Sequence, residues 1–444
     1  MKALGTISVA KCPWWHRIWT VQEVMLPSKA HFVWGPLTLS WATVTSALKV
    51  WTPWVNKGDT TNGTYGNGEG MSPRQMGTAI SLGDINGLMT IVCWINDPGK
   101  GRDTPIAALI KWRDRLATDP RDNVYALTGL YTAKSLPRSS KCDYSLDVKQ
   151  VFIDFTLDLI FRHDIKADLS PLTLDPWQDE IERVPGLPRW AIDMRQVPQH
   201  PSESWRVFWF CRHYEANRGL APTGVPEYTG GRLQMPGVGV DTVELVGNGL
   251  FLPTKNTGQG QTLAVYEETP LITRKTVISW WNPFCNDENQ HLPDSFRRIT
   301  PTGSSQYELF CRLILGDTLG NENHRPGRYN TIKDRQDLSE YLGTGKDNGI
   351  IKQHMKHQLK NRRFFVTKKG LIGLGHLDTM CGDEVWVFHH GRVPFILRRR
   401  ESSCSHGNEN GEDYDFGGHC YVQGIMMGIG WALKDLERRR VCLH

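Results

Sequence analysis

The sequence has no Cys-x-x-Cys pair, no apolar run long enough for a bilayer, no Gly-x-Ser-x-Gly turn and no internal repeat of 20 to 50 residues. Each absence removes a class. The ten cysteines are scattered over 444 residues, and a chain of this size does not need the disulfide staples of a small secreted domain, so a reducing compartment is expected. The longest apolar stretch, GLMTIVCWI at 87–95, falls well short of the roughly 20 residues that span a membrane. The start, MKALGTISVAKC, holds too weak an apolar stretch for a secretory signal. A cytoplasmic protein with no membrane insertion is the expectation, and the Asn62-Gly63-Thr64 sequon then reads as a plain loop. Without the nucleophile turn a serine hydrolase has no foothold. The lack of a repeat sets solenoids aside.

Charge of one sign is also scarce. The formal net charge is +5, and only Arg398-Arg399-Arg400 and Arg438-Arg439-Arg440 form dense basic runs. Such runs read as solvated faces or tails, so no nucleic-acid partner is expected. What is present is an ordinary globular composition, 39% hydrophobic and 22% charged, in a chain longer than the roughly 250 to 300 residues one core fills. More than one domain follows.

Along the chain, CPWWHRIWTVQEVML (12–26) places three tryptophans within six residues. Pro13 suits a first-turn position, and Trp15, Ile18, Trp19, Met25 and Leu26 recur at helical spacing, which predicts one helix over 13–26. AHFVWGPLTLSW (30–41) reads as a hairpin. Residues 56–75 are rich in Gly, Asn and Thr, as in a surface insertion, and helices are expected over 76–95 and 104–117. DPRDNVYALTGL (119–130) is a punctuated helix with Asp119 as cap, Pro120 at its first position and Gly129 at its close. After the extended KCDYSLD, residues Val148, Val151, Phe152, Phe155 and Leu159 form a helical stripe. From about 230 the texture becomes short strands with Gly turns, and 402–418 reads as a polar loop between two of them. The expected domains are 1–45, a mainly helical region at 46–195, a mixed region with strands at 196–300 and a mostly β unit at 301–444.

The stretch Trp14, Trp15, Arg17, Trp19, Thr20, Gln22 and Glu23 matches a pattern W-[WF]-x-R-x-W-T-x-Q-E, and LTLSW, DPRDNVYALTGL, DYSLDVKQVF, LPRWAIDM (187–194), RRFFVTKKGLIGLG (362–375), GDEVWVFHHGRVPFILR (382–398) and CYVQGIMMG (420–428) follow in order. In these blocks, spread over almost the whole chain, the sequence resembles the heterokaryon incompatibility (HET) domain proteins of filamentous fungi. Similar proteins carry, before the Trp-rich block, a Ser-Tyr-x-Trp-Gly block and an Asp-x-x-Cys-Ile-Asn-Gln block, and neither occurs here. The chain therefore looks like the end of a HET domain followed by the C-terminal region, through lost exons or genuine loss. On that view Trp15, Ile18 and Trp19 should be unusually exposed. The resemblance implies an α+β fold, with an N-terminal remnant of an α/β HET domain, a helical middle and a mostly β C-terminal unit. It also implies a role in vegetative incompatibility, with protein partners, non-self recognition and programmed cell death. An inert degenerate copy is the bland counterpart.

Chemistry is sparse. HET domains have been likened to TIR domains, some of which cleave nicotinamide dinucleotides with a glutamate; this makes Glu23 the one candidate catalytic residue and an NAD(P)-cleaving hydrolase the alternative function. The reading leans against an enzyme, with Glu23 and Gln22 as structural ties of a core helix. Cys404, His406, His419 and Cys420 flank one loop, but C-x-H and adjacent His-Cys are poor zinc spacings; no metal and no cofactor is expected. His354-x-x-His357 and His389-His390 are weaker still. GVGVDTV (237–243) and GTGK (343–346) borrow parts of phosphate loops and read as turns.

Overall fold

The apolar spacing of the Trp-rich stretch predicts one continuous helix, and the chain does something else. The computed structural model describes residues 13–46, 104–162, 167–174, 182–195, 211–220, 224–247, 277–280, 306–320, 326–346, 349–400, 412–428 and 436–444, bar isolated positions. It divides into two compact units, Met1–Phe155 and Thr156–His444. In the first, Pro13–His16 is a 3-10 turn and Thr20–Met25 a short helix, α1. Between them Arg17 pairs with Leu116 as an isolated parallel bridge. The Ile18 N–H donates to the Leu116 carbonyl at 3.0 Å, and the Leu116 N–H to the His16 carbonyl at 2.6 Å. Backbone groups that the helix would have satisfied locally are satisfied at long range instead. The same pairing covers Ile18, which is 1% exposed and so corrects the expectation that it lies open. Trp19 is half-buried. The Trp15 side chain lies outside the described residues, as do the insertion at 56–75 and the helix expected over 76–95.

The hairpin forms as expected, β1 (His31–Trp34) antiparallel to β2 (Leu37–Ser40) with Trp34 opposite Leu37. Helix α2 (Pro105–Trp112) starts on a proline whose missing N–H no helix start requires. It buries Ile106, Leu109, Ile110 and Trp112. Helix α3 spans Asp122–Thr128 and α4 spans Val148–Ile160. In α4 the predicted stripe is buried at Val151, Phe152, Phe155 and Leu159.

The second unit is organised by one strand. After β3 (Glu227–Thr229), β4 runs from Arg232 to Val246 without a turn. It pairs on one side with β13 (Arg438–Leu443) and on the other with β9 (Glu384–Phe388). Since β13 pairs with β11 (Glu412–His419), β11 with β10 (Phe395–Arg399) and β10 with β9, the five strands close into a barrel. Closure leaves no open edge among those five. Past a bulge, the end of β4 leaves the ring and pairs with β7 (Arg362–Thr367), followed by β8 (Ile372–His376) and β12 (Tyr421–Val422). The chain outside the sheet forms α5 (Gln306–Ile314), the small hairpin β5 (Thr318–Gly320) and β6 (Pro326–Tyr329), and helices α6 (Ile332–Thr344) and α7 (Gly349–Leu359). The architecture is α+β with a mostly β C-terminal unit.

Two sequence readings change here. GVGVDTV is the middle of β4, where a turn was expected. Gly237 faces Phe388 and Gly239 faces Trp386 across the ladder. A Cβ on Gly237 would come within 2.7 Å of the Phe388 ring and 2.8 Å of the Val387 carbonyl. These glycines make room for aromatic rings, so no phosphate loop exists there. The polar loop expected over 402–418 ends earlier, because β11 starts at Glu412. Tyr414 and Phe416 alternate with half-exposed acids, burying one face of that strand.

Strand β9 alternates as predicted, yet both of its faces are buried. Val385 and Val387 join Val238, Val240 and Ile396 in one cluster. Trp386 and Phe388 begin an aromatic chain on the other face: Trp386 to Tyr414 at 5.7 Å, Phe388 to Phe395 at 5.3 Å and Phe395 to Phe416 at 5.7 Å between ring centroids. GTGK closes α6: Gly345, with φ 79°, is its left-handed C-cap and Lys346 pairs with Glu340. Among the described residues no helix is long and apolar enough to cross a membrane.

Candidate functional site

Three of the motif blocks meet in the first unit. Thr20, buried in the first turn of α1, donates its hydroxyl to the Arg17 carbonyl at 2.6 Å and lies 3.4 Å from the Arg115 guanidinium. Burial lowers the Arg115 pKa and raises that of its neighbour Asp114. The Gln22 amide donates to the carbonyls of Tyr125 and Ala126 at 3.1 and 2.9 Å, which belong to the last turn of α3, where a helix leaves carbonyls without internal partners. Gln22 is therefore a side-chain cap supplied from about a hundred residues away. Gly129 ends α3 with φ −61°, an ordinary helical value. Its role is space, since a Cβ there would meet Gln22 Nε2 at 2.4 Å.

A double-mutant cycle tests this pairing. Gln22→Ala removes the Gln22 donor from both carbonyls, leaving that of Tyr125 with the Thr128 hydroxyl, and should cost about 1–3 kcal/mol. Gly129→Ala displaces the same amide and should cost a similar amount. Because both remove one contact, the double variant should lose clearly less than the sum in urea denaturation; additive losses would refute the coupling.

The other end of α3 is tied just as specifically. The helix starts at Asp122, later than Pro120 at a first position would place it, and its N-cap is Arg121 without a side-chain cap bond. Asp119 instead braces the turn before it, its carboxylate accepting the Arg121 backbone N–H at 3.0 Å and, through both oxygens, the Arg121 guanidinium. Arg121 also donates to the carbonyls of Tyr144 and Leu146 and lies 5.1 Å over the Tyr144 ring. Tyr125 donates to the Asp143 carbonyl, and Tyr144 to Asp122, each at 2.6 Å. DPRDNVYALTGL and DYSLDV are thus one clamp. Glu23, exposed on α1, accepts the Trp14 indole N–H at 2.6 Å.

The second concentration of ionisable groups lies where β11 passes into β12. Arg362 opens β7 directly opposite His376, the last residue of β8. Arg362 donates to the His419 carbonyl at 2.7 Å and to the His419 Nε2. His376 Nδ1 binds the Asp378 carboxylate, whose other oxygen pairs with Arg189. The row runs from buried to half-exposed: the side chains of His376, Asp378 and Arg189 are 11%, 35% and 41% exposed. Burial, then the Arg362 and His376 charges, push the His419 imidazole well below its ordinary pKa. Burial also lowers His376, and Asp378 only partly restores it. Burial by itself would raise Asp378, but the His376 bond and the His376 and Arg189 charges outweigh it and hold that carboxyl well below the usual range.

Of the zinc candidates, Cys404 and His406 lie outside the described residues. His419 Nε2 is taken by Arg362, and Cys420 packs in the apolar cluster with its thiol pushed up by burial. Among the described residues no group of three His, Cys, Asp or Glu is placed to hold a metal ion. His354 Nε2 contacts the Leu315 carbonyl at 2.9 Å, and His389 is buried. The two arginine runs, expected as solvated faces or tails, lie in strands except for Arg400, just past the end of β10, and are largely matched by neighbouring acids: Arg398 by Asp383, Arg399 and Arg439 by Glu412, Arg400 by Asp415 and Arg440 by Glu227. Sequence reasoning singled out His419 but not Arg189, Arg362, His376 or Asp378. The spacing His376-x-Asp378 after a buried strand was the available signal, and only the β7–β8 register brings Arg362 to it.

Residues 337–441 match the Het-6 beta-barrel domain, a HET-associated domain of fungi, and the blocks at 362–375, 382–398 and 420–428 lie inside that match. No curated protein and no solved structure matches the chain.

Proposed function

We propose, from the premise that the C-terminal region is of the HET type, that this chain acts in heterokaryon incompatibility: non-self recognition through protein partners, leading to programmed cell death. The observation that carries this reading is the Het-6 beta-barrel match over residues 337–441. The closed barrel suits such a role, since a ring without open edges holds its loops on a rigid frame, and recognition surfaces are commonly built from loops on rigid frames. The Gln22 cap and the Arg121 clamp give the N-terminal motif residues structural duties that fit a signalling protein without requiring chemistry.

The test is expression in a filamentous fungal host, with cell death scored by vital dye in hyphal fusions between like and unlike strains and NAD content followed in parallel. Death confined to unlike fusions is the expected result. Absence of death in every pairing, with the chain expressed and folded, would sink the incompatibility reading. A fall in NAD that precedes death and disappears in Glu23→Gln would favour the hydrolase.

A further inference from the structure

We propose that the Arg362–His419 contact is an acid-released latch that fastens the β7–β8–β12 sheet to the barrel ring. The argument rests on donor and acceptor chemistry. A guanidinium is protonated at any physiological pH and has no acceptor, so an imidazole nitrogen that meets it must present a lone pair. His419 Nε2 does so, which requires the neutral ring with its proton on Nδ1. Protonating His419 turns that bond into two donors facing each other and places two like charges in contact in a buried place.

Position gives the contact its consequence. His419 is the last residue of β11, a ring strand, and two residues on Tyr421 pairs with Leu374 of β8. Arg362 is the first residue of β7, which pairs with β8 on one edge and the end of β4 on the other. The latch therefore sits at the corner where the chain leaves the ring for the second sheet. The groups that bear on His419 are Arg362 from β7 and His376 from β8. Around these two stand Asp378 and Arg189, beside His376, and the thiols of Cys211 and Cys420, near Arg362. Asp378 is the one carboxylate in the set, and His376 and Arg189 already bind both of its oxygens. A proton arriving on His376 is met by Asp378; a proton arriving on His419 Nε2 meets the Arg362 guanidinium.

The sign follows from linkage. A histidine whose folded pKa is depressed gives stability that is complete above the unfolded value near 6.5 and falls as pH drops below it, until the folded value is reached. Within that window the opening constant of the latch should rise about tenfold per pH unit.

Hydrogen exchange on the full chain between pH 7.5 and 5 is the test, after correction for the intrinsic pH dependence of exchange. Amides of 362–376 and 419–422 should lose protection about tenfold per unit below pH 6.5, while ring amides in 235–240 and 385–388 hold theirs. His419→Gln, which keeps an acceptor but cannot titrate, should flatten the response. Uniform loss in both sets, no loss, or an unaltered response in His419→Gln would overturn the latch. Should that variant fail to fold, NMR of the wild-type imidazoles decides: the His419 resonance must titrate well below 6.5, and titration at the ordinary value refutes the proposal.

Discussion

A fragment confined to residues 337–444 is expected to lack a cooperative unfolding transition, and extension of its N-terminus to residue 224 is expected to restore one. The matched domain spans 337–441, but the strand that closes the barrel is β4, Arg232–Val246, which lies outside it. Without β4 the facing edges of β13 and β9 are left open, along with one edge of β7. Exposed strand edges invite association with other chains. The removed strand also buries Leu233, Met235, Val238, Val240 and Val243, each no more than 4% exposed. At about 1.5–3 kcal/mol for each buried side chain, their loss is of the order of the whole stability of a domain. Circular dichroism with a urea titration of the two fragments would settle the matter. A sharp, reversible transition in 337–444 would show that the ring closes in some other way.

The second large effect should come from Arg398→Ala. Asp383 is 1% exposed, and its carboxylate accepts Arg398 Nε at 2.7 Å, Arg398 NH2 at 2.9 Å and the Met380 N–H at 2.9 Å. Arg398 also donates to the Asp378 carbonyl at 2.7 Å. Removing the guanidinium strands a buried negative charge with one remaining donor. Fully buried pairs lose about 3–5 kcal/mol on such truncation, and water reaching the third-exposed Arg398 places the expectation near the lower end. Arg399→Ala, at the adjacent position but more than half exposed in its pairing with Glu412, should cost under about 1 kcal/mol. Arg398→Lys should fall between, since a lysine keeps the charge and loses the fork. Equal losses at 398 and 399 in chemical denaturation would refute the distinction.

That contrast shows how much of this protein is legible without coordinates. Adjacent arginines in one run look identical in sequence; only the strand alternation and the turn before β9 send one to a buried aspartate and the next to a surface glutamate. Glycines divide the same way. Gly345 is legible as a helix terminator, because a left-handed cap is a local property. Gly129 is legible as the end of α3 but not as the space Gln22 fills, because that side chain arrives from a distant segment. Gly237 and Gly239 were misleading, since their spacing imitates a phosphate loop while their function is to accept Phe388 and Trp386.

The Trp-rich stretch departs from its local periodicity for a related reason. Helical spacing was present, but two backbone bonds to Leu116 displaced a turn of helix, and periodicity carries no information on a partner a hundred residues away. Strand β11 was partly lost among acidic residues although Tyr414 and Phe416 kept the two-residue period.

By itself the sequence determined what depends on neighbours within a turn or a pleat: the hairpin at 31–40, the close of α3 at Gly129, the stripe of α4, the alternation of β9, and the ordered blocks that resemble HET proteins. Tertiary structure alone decided what depends on groups far apart in the chain. These are the closing of a ring through β4, the capping of α3 by Gln22, the stranding or satisfaction of Asp383, and the alignment of Arg362, His376 and His419 at one corner. The physical reason is range: propensity and periodicity act over a few residues, whereas ladder register and buried charge are settled by whichever distant segment packs alongside.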